Sequence, residues 1–371
     1  MQLKIFIFLI GFSFFANAAI RDVPYHFDSK KIASTHTPLE FFRTFADYFY
    51  LLEKENHENQ TFVQTYWANS GWCFGDTHLE NFGTLLLESG QSTFTVNDWD
   101  DAGPCPVILD LFRLAISSDL FDTQISLEKI FSAYQRGLLG QNDQIPFSVQ
   151  TLIAKSKNKG ISPHPKVIDK NQFIRTAEST EIIEADKNEL MSVISKLNAK
   201  ISANYKWQDG LKTSKLDGGS FGLARYQLLL RQNDQLLHVE LKEQVTPSIY
   251  PLLRAEQMPS VQEKILTSLK FSQQNQFSLL YGATSIQNKS MLIRPRFAGN
   301  SSLKASNYTS AELESIVPYE ANLLGFFQKN NPQRNFETIH LNSSDLQKFL
   351  ADTKQFSLFI QAKYRSLSAL R

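Results

Sequence analysis

Asp76, Asn81 and Asp98 are the residues whose types and spacing point to chemistry. The first two stand in Gly75-Asp76-Thr77-His78-Leu79-Glu80-Asn81, a G-D-x-H-x-x-N pattern. The third stands seventeen positions after Asn81, in Asn97-Asp98-Trp99-Asp100-Asp101. Phosphoryl transfer asks for such a set. One carboxylate orients an acceptor hydroxyl and takes its proton, while a second carboxylate and an amide oxygen hold magnesium against the donor phosphates. Asp76 is the expected base, and Asn81 and Asp98 are the expected metal ligands. The short step from Asp76 to Asn81 suits a loop that turns back on itself and brings both oxygens into one cavity. The plainer alternative is a polar hairpin without function, because Asp, Asn and Gly favour turns in any case. Asp100 is a second candidate at the metal. Asp110 and Arg113 read as a buried pair bracing the catalytic loop, and Arg43 joins that network or points at phosphate.

The elements that must hold these residues follow from periodicity. Pro38 after Thr37, with Leu39, Phe42, Phe45, Ala46, Phe49 and Tyr50 near helical spacing, predicts a helix over residues 37–55. Short strands are expected at 74–76 and 93–98, separated by the turn signal Glu88-Ser89-Gly90-Gln91. Apolar helical patterns cover 107–120, 127–139 and 148–155. Residues 155–170 read as a linker and 181–205 as a long helix. A strand–turn–strand region then runs through 214–222, 223–230 and 236–242, followed by a helix at 260–271 and a strand at 291–297. The tail from residue 310 reads as two helices. Helices and hairpins in blocks indicate an α+β class, not a doubly wound sheet.

The G-D-x-H-x-x-N block followed by an Asp-aromatic pair resembles the catalytic and metal loops of aminoglycoside phosphotransferases and choline-kinase-like enzymes. More closely, residues 30–300 resemble the uncharacterised bacterial family called domain of unknown function 2252, which is grouped with kinase-like folds. The matching pieces are Phe41-Phe42-Arg43, Gly75 to Gly83, Asn97 to Asp101, and Asp110-Leu111-Phe112-Arg113-Leu114. The resemblance implies a structural part for His78. It extends to Asp217-Gly218-Gly219-Ser220-Phe221-Gly222 and to Val239-Glu240-Leu241-Lys242-Glu243, which follow the order of a glycine-rich phosphate loop and a strand lysine. It therefore implies ATP phosphates held by Gly218, Gly219, Ser220, Gly222 and Lys242, with Glu256 or Glu263 as the helix carboxylate that pairs with the lysine. The plainer readings are a hairpin turn and a solvated strand lysine. Arg294 and Arg296 sit on a strand that either walls the cleft or faces solvent. Ordinary kinases carry the glycine loop before the catalytic loop, so the order here implies a circularly permuted two-lobe kinase-like fold.

Composition bounds the partners. The 371 residues are 42% hydrophobic, with 29 phenylalanines and a formal net charge of +1, which argues against a broad grip on nucleic acid. Lys4, the apolar run Ile5 to Phe15 and Ala16-Asn17-Ala18 form a signal-peptide pattern with cleavage after Ala18. That run is shorter than the roughly 20 residues of a membrane span, so a periplasmic or secreted protein is expected. An uncleaved anchor or a buried helix is the alternative. Cys73 and Cys105 are compatible with a disulfide or with two buried thiols. The expected organisation is a signal peptide (1–18), a helical lobe with the catalytic and metal loops (19–165), a small lobe with the glycine loop (166–300) and C-terminal helices completing the large lobe (301–371). The expected activity is magnesium-dependent transfer of phosphate from ATP, or from another phosphorylated donor, to an unknown hydroxyl acceptor. The competing class is a non-catalytic exported binding module, and a third possibility is metal-dependent phosphoester hydrolysis.

Overall fold

The computed structural model describes residues 20–214, 222–273, 278–331, 333–337 and 339–369. The proposed signal segment and Gly218, Gly219 and Ser220 lie outside the described residues. Helices and antiparallel sheets alternate in blocks, an α+β arrangement. Among the described residues no helix is long and apolar enough to cross a membrane.

The largest core joins the first third of the chain to its end. Helix Ile108–Phe121 runs through its centre, with twelve of its residues buried. Phe41, Phe49, Phe62 and Phe112 on the N-terminal side meet Phe349, Phe356 and Ile360 of the final helix, Ser343–Ser368. Helix Ser310–Lys329 lies against Leu127–Leu138 so closely that Gly137 and Gly325 leave no room for a side chain. A Cβ at Gly325 would stand 2.2 Å from the Tyr134 carbonyl oxygen. The last two helices thus complete a core begun at residue 39. A second core lies beneath a six-stranded antiparallel sheet, where helix Glu184–Ile201 covers Tyr226, Leu228, Val239, Leu241, Met291 and Ile293.

Several local expectations shift. The helix expected over 37–55 is broken at Phe45 (φ −112°, ψ 54°) into Pro38–Thr44 and Ala46–Asn56. No Pro or Gly marks the break. Phe45 turns instead into a cluster with Tyr25, Phe27 and Phe41, so tertiary packing overrides the helical period. The first strand is Ser70–Cys73, ahead of the expected 74–76, because Gly75 takes a left-handed φ of +85° and ends it. The linker begins later than residue 155, since helix Phe147–Lys159 consumes its first part. Its remainder includes the small hairpin Ile168–Asp169 and Gln172–Phe173. Strand Lys206–Ser214 precedes the expected hairpin and pairs with Ala224–Gln232. Cys73 and Cys105 are joined in a disulfide between strands Ser70–Cys73 and Gly103–Pro106.

Candidate active site

One face of helix Ile108–Phe121 holds the loop from Gly75 to Asn81. Asp110, Arg113 and Ser117 recur at i, i+3 and i+7, a single stripe on an α-helix. The Asp110 carboxylate accepts the Phe74 N–H at 3.0 Å and the Gly75 N–H at 3.3 Å, and its backbone carbonyl accepts from the Thr77 hydroxyl at 2.8 Å. The Ser117 hydroxyl accepts the Leu79 N–H at 3.0 Å. Between them Arg113 donates from Nε to Asp76 Oδ1 at 2.9 Å and from Nη2 to the Phe42 carbonyl at 3.1 Å, while its guanidinium lies 4.2 Å above the Phe42 ring. The expected direct Asp110–Arg113 pair is therefore two parallel braces. Asp110 grips the loop backbone and Arg113 grips the side chain of Asp76.

Electrostatics follow from that division. Burial works to raise the Asp76 carboxyl, but the Arg113 guanidinium and then His78 outweigh it and hold it well below the usual carboxylate range. Asp76 is thus ionised at neutral pH, and one-fifth of its side chain opens on the cleft. His78 accepts the Glu80 N–H on Nδ1 at 3.1 Å and turns Nε2 toward Asp76 Oδ2 at 3.5 Å. Burial and then Arg43 push its pKa down, against the pull of Asp76. Arg43 pairs with Glu80, whose other oxygen accepts the Ala305 N–H.

Asn81 and Asp98 come together as the spacing implied. The Asn81 amide nitrogen donates to the carbonyls of Asp76 (2.7 Å) and Asp98 (3.2 Å), which orients its side chain between the two loops. Its own carbonyl oxygen remains as an acceptor. It and the Asp98 carboxylate are hard oxygen acceptors lining one cleft, the donor type that could hold a magnesium ion. Among the described residues there is no cluster of three or more His, Cys, Asp or Glu side chains able to hold a metal.

The opposite wall is the six-stranded sheet. Lys242, 1% exposed on strand Gln235–Glu243, sends Nζ to Asp98 Oδ2 at 3.2 Å and pairs also with Asp100. Glu256 and Glu263 are not its partners, and both are solvent-exposed. The carboxylates facing Lys242 come from the loop that carries Asp98 and Asp100, which lies against this strand. Burial opposes ionisation of Asp100, yet Lys242 and Lys264 hold its carboxyl below the ordinary range. Arg294 reaches Glu240 at 2.7 Å and Asp98 at 3.9 Å. Gly222 is exposed with φ +76°. All the loop residues Asp76, His78, Asn81, Asp98, Asp100 and Asp101 line one cleft of about 960 Å³, together with Gln244, Tyr281, Arg294 and Arg296.

Three residues of this centre were given no role from the sequence, although Asp101 and Glu240 stand inside the quoted motifs. Lys264, buried on helix Val261–Gln273, donates to the Asp100 carbonyl. Asp101 accepts the Ser248 N–H at 2.6 Å, and burial followed by the nearby Asp76 pushes its carboxyl up to about 6. Glu240 is buried among Arg225, Arg294 and Gln227. The alternation of Glu240 with Lys242 was visible, but not that this face would meet the metal loop.

The chain matches the model of a family described as an uncharacterized protein conserved in bacteria, domain of unknown function 2252, over residues 31–131 and 142–358. It belongs to that family. No curated protein and no solved structure matches it. Every residue of the cleft named above falls within the matched segments.

Proposed function

We propose that this member of the family is a magnesium-dependent phosphotransferase acting on a hydroxyl acceptor. The observation that carries the reading is one contact. Lys242 lies 144 positions from Asp98 in the chain, yet its buried ammonium stands 3.2 Å from that carboxylate, which lines one cleft with Asp76 and Asn81. A base, a metal pair and a phosphate-binding cation on two facing walls meet the requirement of in-line transfer, which is mostly positioning and charge neutralisation.

In the reaction the acceptor oxygen attacks the terminal phosphorus of the donor, and the bond from that phosphorus to the bridging oxygen breaks. Asp76, aimed by Arg113, accepts the hydroxyl's hydrogen bond and passes the proton on to solvent. Its lowered pKa makes it an orienting group first and a proton carrier second. Magnesium held by Asn81 and Asp98 would neutralise charge on the donor phosphates. Lys242 adds a fixed positive charge from the sheet side. The order of the parts supports a kinase-like, circularly permuted two-lobe arrangement, because the C-terminal helices return to the core that bears the catalytic loop. The buried Cys73–Cys105 disulfide supports maturation in an oxidising compartment, in line with the export pattern at the N-terminus.

Calorimetric titration of the chain from Ala19 onward with ATP, with and without magnesium, tests the reading beside Asp98→Ala and Asp76→Asn. Magnesium-dependent binding that falls at least tenfold in Asp98→Ala is expected, together with loss of turnover but not of binding in Asp76→Asn. A magnesium-bound phosphate ligand that binds Asp98→Ala as tightly as the natural chain would remove the metal assignment.

A further inference from the structure

Alternation along strand Gln235–Glu243 puts Glu240 and Lys242 on one face of the six-stranded sheet. Strand pairing sets Arg294, of strand Lys289–Pro295, directly beside Glu240, with Gln227 on its other side. The two cations of this face that reach toward Asp98 are not equivalent. Lys242 is buried, spends its ammonium on Asp98 and Asp100, and does not line the cleft. Arg294 does line it, with 11% of its side chain exposed.

The anchoring of Arg294 leaves one nitrogen over. Burial opposes ionisation of Glu240, but Arg294, Arg296 and Arg225 together hold its carboxyl well below the usual range. Arg294 donates from Nε to Glu240 Oε1 at 2.7 Å, and its Nη2 stands 2.7 Å from the same oxygen. Arg225 Nη1 at 3.2 Å and Gln227 Nε2 at 2.9 Å hold Oε2. Arg294 Nη1 makes no hydrogen bond among the described residues and stands 3.9 Å from Asp98 Oδ1, beyond hydrogen-bond reach. Two pinned nitrogens fix the guanidinium before any ligand arrives, so little side-chain entropy remains to be lost on binding. The third faces the gap above Asp98, where a phosphate oxygen could accept a charge-assisted hydrogen bond. Arg296, two residues further on, lines the same cleft but is exposed, and its side chain makes no hydrogen bond or ion pair among the described residues. It is a cation of the cleft without an anchor.

We propose that Arg294 is the cation that touches the donor phosphates, while Lys242 acts from behind it by holding the loop that carries Asp98. The inference rests on the phosphotransferase reading of the same cleft. It assigns direct phosphate contact to a residue on the strand next to that of Lys242.

The test is calorimetric titration of the chain from Ala19 onward with ATP and with tripolyphosphate, each with magnesium, beside Arg294→Gln, Arg294→Lys and Arg296→Gln. Whichever phosphate ligand binds the natural chain is expected to bind Arg294→Gln about tenfold more weakly, a loss of about 1.4 kcal/mol. Arg294→Lys keeps the charge without the fork, and a loss of about fivefold is expected. Arg296→Gln removes a charge of the same sign from the same cleft, and a loss below about threefold is expected. Arg225 and Gln227 still hold Glu240 when Arg294 is replaced, so the fold is expected to stand, and the urea midpoint checks it. Should Arg294→Gln not fold, the lysine variant carries the test. Full-strength binding by either Arg294 variant, or a loss in Arg296→Gln equal to that in Arg294→Gln, overturns the proposal and leaves the phosphotransferase reading standing. Binding of neither ligand by the natural chain overturns both.

Discussion

Breaking the Asp76–Arg113 pair from either side should reveal how the catalytic loop is held. Arg113 is fully buried, donates twice to Asp76 Oδ1 and lies over two phenylalanine rings, at 4.2 Å and 5.1 Å. Removing one partner of such a pair costs roughly 3–5 kcal/mol, because the other charge is left behind without compensation. Asp76 retains one-fifth exposure to the cleft, so the loss of Arg113 in Arg113→Met belongs at the low end, about 3 kcal/mol. In Asp76→Ala the stranded group is the guanidinium, with no exposed surface and with Nη1 already lacking an acceptor. That variant belongs at the high end, about 5 kcal/mol. The double variant strands no charge and should be less destabilised than the sum of the singles by about 2 kcal/mol or more. Urea denaturation of the four proteins measures the cycle. Additivity within about 0.5 kcal/mol would mean that the pair is not coupled, and Arg113 could not then be what orients Asp76. The same cycle has a pH signature. With the guanidinium gone, only His78 still opposes burial at Asp76, so its pKa should rise and any turnover by Arg113→Met should fall off at a higher pH than in the natural chain.

Three more expectations follow from the loops around the cleft. Gly75→Ala should cost well over 2 kcal/mol, because a Cβ there would stand 2.0 Å from the Asp101 carbonyl oxygen in addition to the left-handed penalty of about 1–2 kcal/mol. Gly90→Ala has a similar φ of +79° but open space around it, so it should show the penalty alone, and equal losses in the two would refute the close approach. The Cys73–Cys105 disulfide closes a loop with a sequence separation of 32, worth about 4 kcal/mol through the unfolded chain. Cys73→Ser with Cys105→Ser should lower the denaturation midpoint accordingly, and an unchanged midpoint would show the bridge to be dispensable. Asp101 has its pKa raised to about 6 in the folded protein, so its contribution is greatest below the unfolded value of 3.8 and is lost as pH rises through 6. Asp101→Asn should therefore gain on the natural chain between pH 4 and 7, by about 3 kcal/mol at most. A stability difference that stays flat over that range would count against the buried, acid-flanked setting of this carboxyl.

The parts of this site that were legible in the sequence share a physical cause. Asp76, Asn81 and Asp98 belong to loops whose spacing is set locally, by a turn and a hairpin, so adjacency in sequence carries over to adjacency in space. Helix Ile108–Phe121 could be read from its apolar run, and the polar residues Asp110 and Arg113 stood out within it. Ser117 completes the same stripe and was legible in principle, because i+7 from Asp110 is fixed by helix geometry. The opposite wall was legible only in part: the resemblance pointed to Lys242, while Arg294 and Arg296 were left between cleft and solvent. Lys242, Arg294 and Arg296 acquire meaning only from which face of the sheet is turned toward the metal loop, and alternation identifies two faces without saying what each one meets. The resemblance to kinases directed attention to Glu256 and Glu263 as partners for Lys242. The chain instead neutralises the lysine with Asp98 and Asp100, the carboxylates of the loop opposite. Strand Lys206–Ser214 escaped notice because Lys, Asp and Gly break its apolar alternation. Its polar side is used internally: Asp209 accepts the Phe173 N–H and pairs with Arg175, fastening the hairpin that seals Leu211 and Leu229.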